Sequence, residues 1–159
     1  QYLASLMTAY RELLLNLGAA TLMVAVTTLI HFFGLLVLTR VMSRAHRRLR
    51  THEGLWRQAG MILLVVFGLF ALHTTQIWSY AALFSWLGEF HTFEEALYFS
   101  TVTFSTVGYG DLTLSTHWRL LGAIEAANGL ILIAWSTAFL MGVTTRLRLL
   151  EHDWLEKND

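Results

Sequence analysis

Apolar positions along this chain fall into three long blocks and one short one. The first runs from Asn16 to Leu38, about 23 residues interrupted by little more than threonines and His31. The second runs from Ala59 to Leu87, about 29 residues, and the third from Trp118 to Thr145, about 28. Crossing the hydrocarbon core of a bilayer takes about 20 helical residues. Each long block therefore predicts a membrane-spanning helix, the second with tilt or with turns beyond the membrane surface. The block from Phe93 to Phe104 holds about 12 residues, too short to cross, and fits a re-entrant or buried helix. The pattern predicts an all-α membrane protein of three transmembrane helices with one short helix between the second and third.

The short helix carries its own start signal. Thr92 is followed three residues later by Glu95, the spacing of a capping box, in which the two side chains satisfy free amides at the helix N-terminus. Glu94 and Glu95 also suit the positive end of the helix dipole. A capped helix lying at the membrane interface would look the same. Its C-terminal neighbours decide between the two, because the helix runs directly into a glycine motif.

Composition supports lipid as the solvent. Of 159 residues 55% are hydrophobic and 14% charged, with a mean hydropathy of +0.53. Ordinary soluble domains carry about 25% charge. No cysteine is present, which excludes disulfides, thiolate metal sites and thiol redox chemistry. No proline is present, so any helix kink must come from glycine, Ser/Thr or packing. The chain begins at Gln1 rather than methionine, which is compatible with residues upstream; its first apolar run is too long for a signal peptide and lacks a small-residue cleavage pattern.

Net charge is zero, but its distribution is one-sided. Arg40, Arg44, Arg47, Arg48, Arg50 and Arg57 lie between the first two blocks, and Arg146, Arg148 and Lys157 follow the third. Only Arg11 and Arg119 lie on the other side. The positive-inside rule then places the first loop and the C-terminus in the cytoplasm, with the N-terminus and the Leu87–Trp118 segment outside. The outer segment carries Glu89, Glu94, Glu95 and Asp111. An acidic vestibule concentrates cations, though solvated surface carboxylates give the same pattern. The Arg40–Arg57 cluster can bind anionic lipid head groups, or serve topology alone. It is too small and too close to the membrane for nucleic-acid binding.

The candidate chemistry lies in Thr106-Val107-Gly108-Tyr109-Gly110-Asp111. A dehydrated potassium ion needs a cage of oxygens in place of its water, and rings of backbone carbonyls provide one. Successive carbonyls turn to one side only if alternate residues take φ > 0, which Gly108 and Gly110 permit. The Thr106 hydroxyl adds an innermost ring. Val107 and Tyr109 are expected to point away from the axis and pack against the short helix, whose negative C-terminal end would face the ion path. Irregular backbone at membrane depth is tolerated only where it lines a polar cavity.

On these residues His91–Asp111 resembles the pore helix and signature filter of the potassium channel superfamily. The surrounding helices look like its two-helix pore module, over roughly Ala59–Arg148. The resemblance implies that Thr106, Val107, Gly108 and Tyr109, with Gly110 completing the loop, bind potassium as a permeant ligand, with no other cofactor. It implies filter support from Tyr98, Phe99, Val102, Ser105 and Asp111. Val102 stands where some bacterial members carry a glutamate paired with the aspartate after the filter, so Asp111 needs another partner or water. One chain holds one motif, so a homotetramer around a four-fold axis is implied. The resulting organisation is residues 1–58 as an extra helix and basic loop, 59–148 as the pore module, and 149–159 as a short cytoplasmic tail that forms a helix or bundle.

In such a module the last helix lines the inner cavity. Spacing and alignment from Asp111 nominate Ile131, Ala134, Ala138, Met141 and Gly142 as lining residues. Gly122, Gly129 and Gly142 are either bending points, Gly129 falling within one position of the family's usual hinge, or sites of close helix packing. Glu125 and Asn128 share a helix face, and an ionisable group at this depth is a candidate functional residue. Glu125 is either a titrating group or a hydrogen-bonding one behind the filter; Asn128 either faces the cavity or completes that network.

The first span has no regularly spaced arginines, so no steep voltage gating is expected. His31 within it reads as a helix–helix contact. His73, Thr74, Thr75 and Gln76 give the second span a polar stretch that faces other helices. His91 and His117 flank the motif and are candidates for sensing external pH. No histidine sits at metal-ligand spacing with carboxylates, and no catalytic site is assigned. The leading function is passive potassium permeation in a prokaryotic plasma membrane. The alternatives are a pore subunit of a potassium uptake transporter, which usually carries several degenerate filter repeats in one chain, and a non-conducting assembly subunit.

Overall fold

The computed structural model describes residues 2–48 and 55–156, with side chains at most of these positions. They form four helices in the order α1 (Tyr2–Arg48), α2 (Leu55–Trp86), α3 (Phe93–Phe104) and α4 (Arg119–Glu156). No strand occurs among the described residues. Three helices are long and apolar enough to cross a membrane, over Tyr10–Ala45, Gln58–Trp86 and Arg119–Arg146. The expected all-α class, with three spanning helices and a short fourth, holds.

Helix boundaries extend beyond the apolar blocks wherever nothing stops them. α1 continues through Arg40, Arg44, Arg47 and Arg48 as one helix, because no glycine or proline occurs between Gly34 and Gly54. Residues 40–48 and 55–57 of the expected basic loop are therefore helix. α4 likewise runs on to Glu156, so residues 149–156 continue that helix and do not form a separate element. Arg50 and Lys157 lie outside the described residues, as do the side chains of Arg47, Arg48, Arg57, Arg148, Glu151, Asp153 and Trp154. α2 does have a stop. Gly88 adopts φ +75°, its amide donates to Ser85 O (3.1 Å), and the Glu89 amide donates to Phe84 O (3.1 Å). This glycine-terminated pattern satisfies the last carbonyls of the helix and turns the chain outward.

Packing is arranged in two apolar clusters. One joins Ala20 of α1, Tyr80, Ala81 and Phe84 of α2, Ala96 and Phe104 of α3, and Leu121 and Leu132 of α4. The second joins Leu35 and Leu38 of α1, Val65 and Leu69 of α2, and Val143 of α4. The short helix α3 is thus held by the first cluster alone. Large apolar side chains such as Leu22, Phe33, Phe67 and Phe70 remain exposed on the single chain, as expected where lipid or other chains form the surroundings.

Candidate functional site

The site is built around α3 and the loop that follows it. α3 begins at Thr92, whose hydroxyl accepts from the Glu95 amide (3.2 Å), while Glu95 accepts from the amides of His91 (2.9 Å) and Thr92 (3.3 Å). The capping box expected from the sequence is complete. At the other end the Ser105 amide donates to Thr101 O (3.1 Å) and the Thr106 amide to Thr103 O (2.9 Å). The amides of Val107 (3.0 Å) and Gly108 (3.2 Å) then both donate to Val102 O. The loop is tied by its N–H groups to the C-terminal turn of α3.

In the Thr106–Gly110 loop, left-handed backbone occurs at every second residue: Thr106 at φ 61°, Gly108 at 58° and Gly110 at 76°. Alternation between right- and left-handed residues turns successive peptide planes so that their carbonyls share a side. The glycines were legible as sites for this geometry; Thr106 was not. A β-branched residue at positive φ is strained by about 1–2 kcal/mol, and strain of this kind concentrates at functional loops. No rule of composition marks such a threonine; only its register, two before Gly108, could have.

The side chains of Val107 and Tyr109 differ from expectation. They are 54% and 72% exposed on the single chain and do not bury themselves against α3. The reason is geometric: the whole loop from Ser105 to Asp111 is exposed on the single chain, so no other helix of the chain covers these side chains.

Asp111 has a partner that replaces the absent glutamate at Val102. The Tyr98 hydroxyl donates to Asp111 Oδ2 at 2.7 Å. This hydrogen bond holds the Asp111 carboxyl below its ordinary range and raises the Tyr98 hydroxyl above its own. The bond ties the residue just after the loop to the middle of α3. Phe99 points the other way, into an aromatic group with Phe84 and Phe90. Ser105 hydrogen-bonds back to Thr101 O (2.7 Å), and Val102 contributes the carbonyl described above.

Two acidic residues of the segment between α2 and α4 are structural in this arrangement. Glu95 caps α3. Glu89 accepts from the Ser115 amide (2.7 Å) and hydroxyl (2.9 Å), joining the two ends of that segment. The N-terminal half of α1 reaches the same segment: Asn16 donates to the His117 carbonyl, and the His117 ring lies 3.7 Å from Glu12. His91 is exposed.

Behind the loop lies a buried polar chain that the sequence only hinted at. His31 of α1 and Gln76 of α2 are fully buried. Gln76 Nε2 lies 3.2 Å from Thr27 O and 3.1 Å from His31 Nδ1; its Oε1 lies 2.9 Å from His73 Nδ1. The Thr27 carbonyl can only accept, which orients the Gln76 amide and makes His73 Nδ1 a donor and His31 Nδ1 an acceptor. His73 Nε2 is 2.9 Å from the Ser136 hydroxyl of α4. Asn128 of α4 donates to Thr27 Oγ1 (2.8 Å) and Tyr80 OH (3.1 Å). Asn128 thus faces α1 and α2. His31 is the helix–helix contact expected, and the polar stretch of α2 splits, with His73 and Gln76 turned inward while Thr74 and Thr75 bond their own helix.

On α4, Ile131, Ala134, Ala138, Met141 and Gly142 are all exposed on the single chain. They recur at helical spacing and form one stripe along the helix. Gly129 is buried on a different face, and a Cβ there would collide with the Phe104 carbonyl of α3. Glu125, one turn earlier, is fully buried and contacts Ser100 of α3. Glycine at 129 permits that close helix approach. No cluster of metal-ligating side chains occurs among the described residues.

A family model described as an ion channel matches residues 59–146, from near the start of α2 into the last third of α4. No curated protein and no solved structure matches the chain.

Proposed function

The chain belongs to the ion channel family, and from that premise we propose that it conducts potassium selectively as a homotetramer. The observation that carries this reading is the alternating positive φ at Thr106, Gly108 and Gly110. Four such loops around one axis would offer stacked rings of carbonyl oxygen from Thr106, Val107, Gly108 and Tyr109, which replace the hydration shell of a dehydrated cation. Potassium is the ion this six-residue motif fits. Cations are drawn to the inner end of the loop by the C-terminal dipole of α3.

Several features support four copies. One chain has one loop and cannot close a ring. Val107 and Tyr109 expose apolar surface beside it, and the α4 stripe from Ile131 to Gly142 would line an inner cavity below it. The exposed apolar faces of α1 and α2 suit lipid, and the basic residues place Arg40 and Arg44 on the cytoplasmic side, within reach of anionic head groups. The loop motif is fully formed, whereas pore subunits of potassium uptake transporters usually carry degenerate repeats, and this favours a channel.

Reconstitution of the full chain into liposomes tests the reading. With unequal potassium and sodium across the bilayer, the current should reverse near the potassium equilibrium potential. Reversal near zero defeats selectivity; tetramers without any flux defeat conduction.

A further inference from the structure

Glu125 occupies an unusual position for an acidic residue. It sits on α4, with no solvent exposure, and its Oε1 contacts the hydroxyl of Ser100, itself fully buried on α3. The same Ser100 hydroxyl lies 3.1 Å from the Ile77 carbonyl of α2. The other oxygen, Glu125 Oε2, is buried with no hydrogen-bond partner.

Counting protons resolves this cluster. A serine hydroxyl has one proton to donate, and the Ile77 carbonyl can only accept. If Ser100 gives its proton to Ile77, the Glu125–Ser100 contact needs a proton from Glu125. If Glu125 were ionised, one hydroxyl proton would have to serve two acceptors, and a charge would lie buried with its second oxygen bare. A buried charge without a paired, hydrogen-bonded partner is the costliest arrangement a protein interior offers. Among the described residues no Lys or Arg bonds Glu125. The ionisable group beside it on α2 is Tyr80, whose hydroxyl accepts a hydrogen bond from Asn128; α3 presents Ser100.

We propose that Glu125 is a neutral carboxylic acid that donates to Ser100, forming a relay Glu125–Ser100–Ile77 carbonyl that positions α3 against α4 and α2. α3 is then pinned to α4 twice on one face, at Ser100 by Glu125 and at Phe104 by Gly129. Phe104 stands two residues before Thr106. The height and tilt of the carbonyl loop are therefore set from α4, one helix behind it, and Glu125 is a positioning residue. The consequence for selectivity rests on the potassium-channel reading; the protonation state of Glu125 does not.

The two are separable in experiment. Infrared spectra of the full chain in liposomes at neutral pH should show the carbonyl band of a protonated carboxyl, lost in Glu125→Gln. Absence of that band in the wild type overturns the proposal whatever the ion flux. In reconstituted vesicles, Glu125→Ala and Ser100→Ala should each lower the potassium-to-sodium permeability ratio about tenfold, the factor expected for one lost buried hydrogen bond. Glu125→Gln, a neutral donor of similar shape, should recover most of what Glu125→Ala loses. A glutamine variant as impaired as the alanine one, in tetramers that still assemble, overturns the neutral-donor role. A wild type that shows the band but no potassium preference sinks the proposed function and leaves the protonation result standing.

Discussion

At the scale of single residues, the loop and its brace make separate predictions. Gly108 and Gly110 hold φ values that cost a Cβ-bearing residue about 1–2 kcal/mol each. Gly108→Ala should abolish potassium-selective flux while leaving the helices intact, read from the reversal potential beside circular dichroism. Asp111 gives a pH prediction with a defined sign. The Tyr98 hydroxyl lowers its pKa, so the contact is fully formed above the ordinary carboxylate range near pH ~4 and is lost as pH falls through the depressed value. Tyr98→Phe removes the donor and lets Asp111 protonate at higher pH. Loss of conductance on external acidification should therefore begin at a higher pH in Tyr98→Phe than in the wild type; an unchanged profile would mean that Asp111 does not report on the loop. Gly108 and Gly110 were legible in the sequence as left-handed positions, because alternate glycines let successive carbonyls share a side. Tyr98 and Asp111 were each expected to support the loop, but that they bond to one another was not legible, since they lie 13 residues apart on different elements.

At the scale of elements, the interactions that matter join helices distant in sequence. Gln76 of α2 holds His31 and Thr27 of α1 on one side and His73 on the other. Gln76→Leu strands several buried polar groups and should destabilise the fold by about 1–3 kcal/mol, seen as a lower midpoint in thermal unfolding of the solubilised protein. Gly129→Ala drives a methyl group into the Phe104 carbonyl and should cost about 1–3 kcal/mol by overpacking, with a shifted loop read as altered selectivity. An unaltered midpoint and selectivity would show that α4 can bend away at Gly129. Helix existence was legible here because the apolar blocks match a bilayer thickness. Helix ends were less so: α1 and α4 outrun their apolar blocks by many residues, since good helix formers continue a helix past the membrane surface.

At the scale of the whole molecule, charge asymmetry and the absence of cysteine make topology directly testable. Single cysteines at Arg44 and at Ser115 should react with an impermeant thiol reagent from opposite sides of sealed vesicles, and any labelled thiol is the introduced one. Labelling of both from one side would overturn the three-span arrangement. α1 belongs to the body of the chain. It contributes Ala20 to the first apolar cluster, Leu35 and Leu38 to the second, and Thr27 and His31 to the polar chain.

The sequence by itself determined the class of this protein, its three apolar spans, its capped short helix and the alternating glycines of its loop. These rest on local quantities: segment length against bilayer thickness, cap spacing, and glycine where L-residues are strained. Only the tertiary structure decided what braces the motif. Tyr98 meets Asp111, Glu125 meets Ser100, Gly129 meets Phe104, and Asn128 turns to Thr27 and Tyr80. Each of these pairs crosses between segments whose relative rotation no periodicity specifies. In a membrane, where apolar faces are nearly equivalent, that rotation is set by small residues and by polar groups seeking one another. Their partners become visible only when the helices are packed.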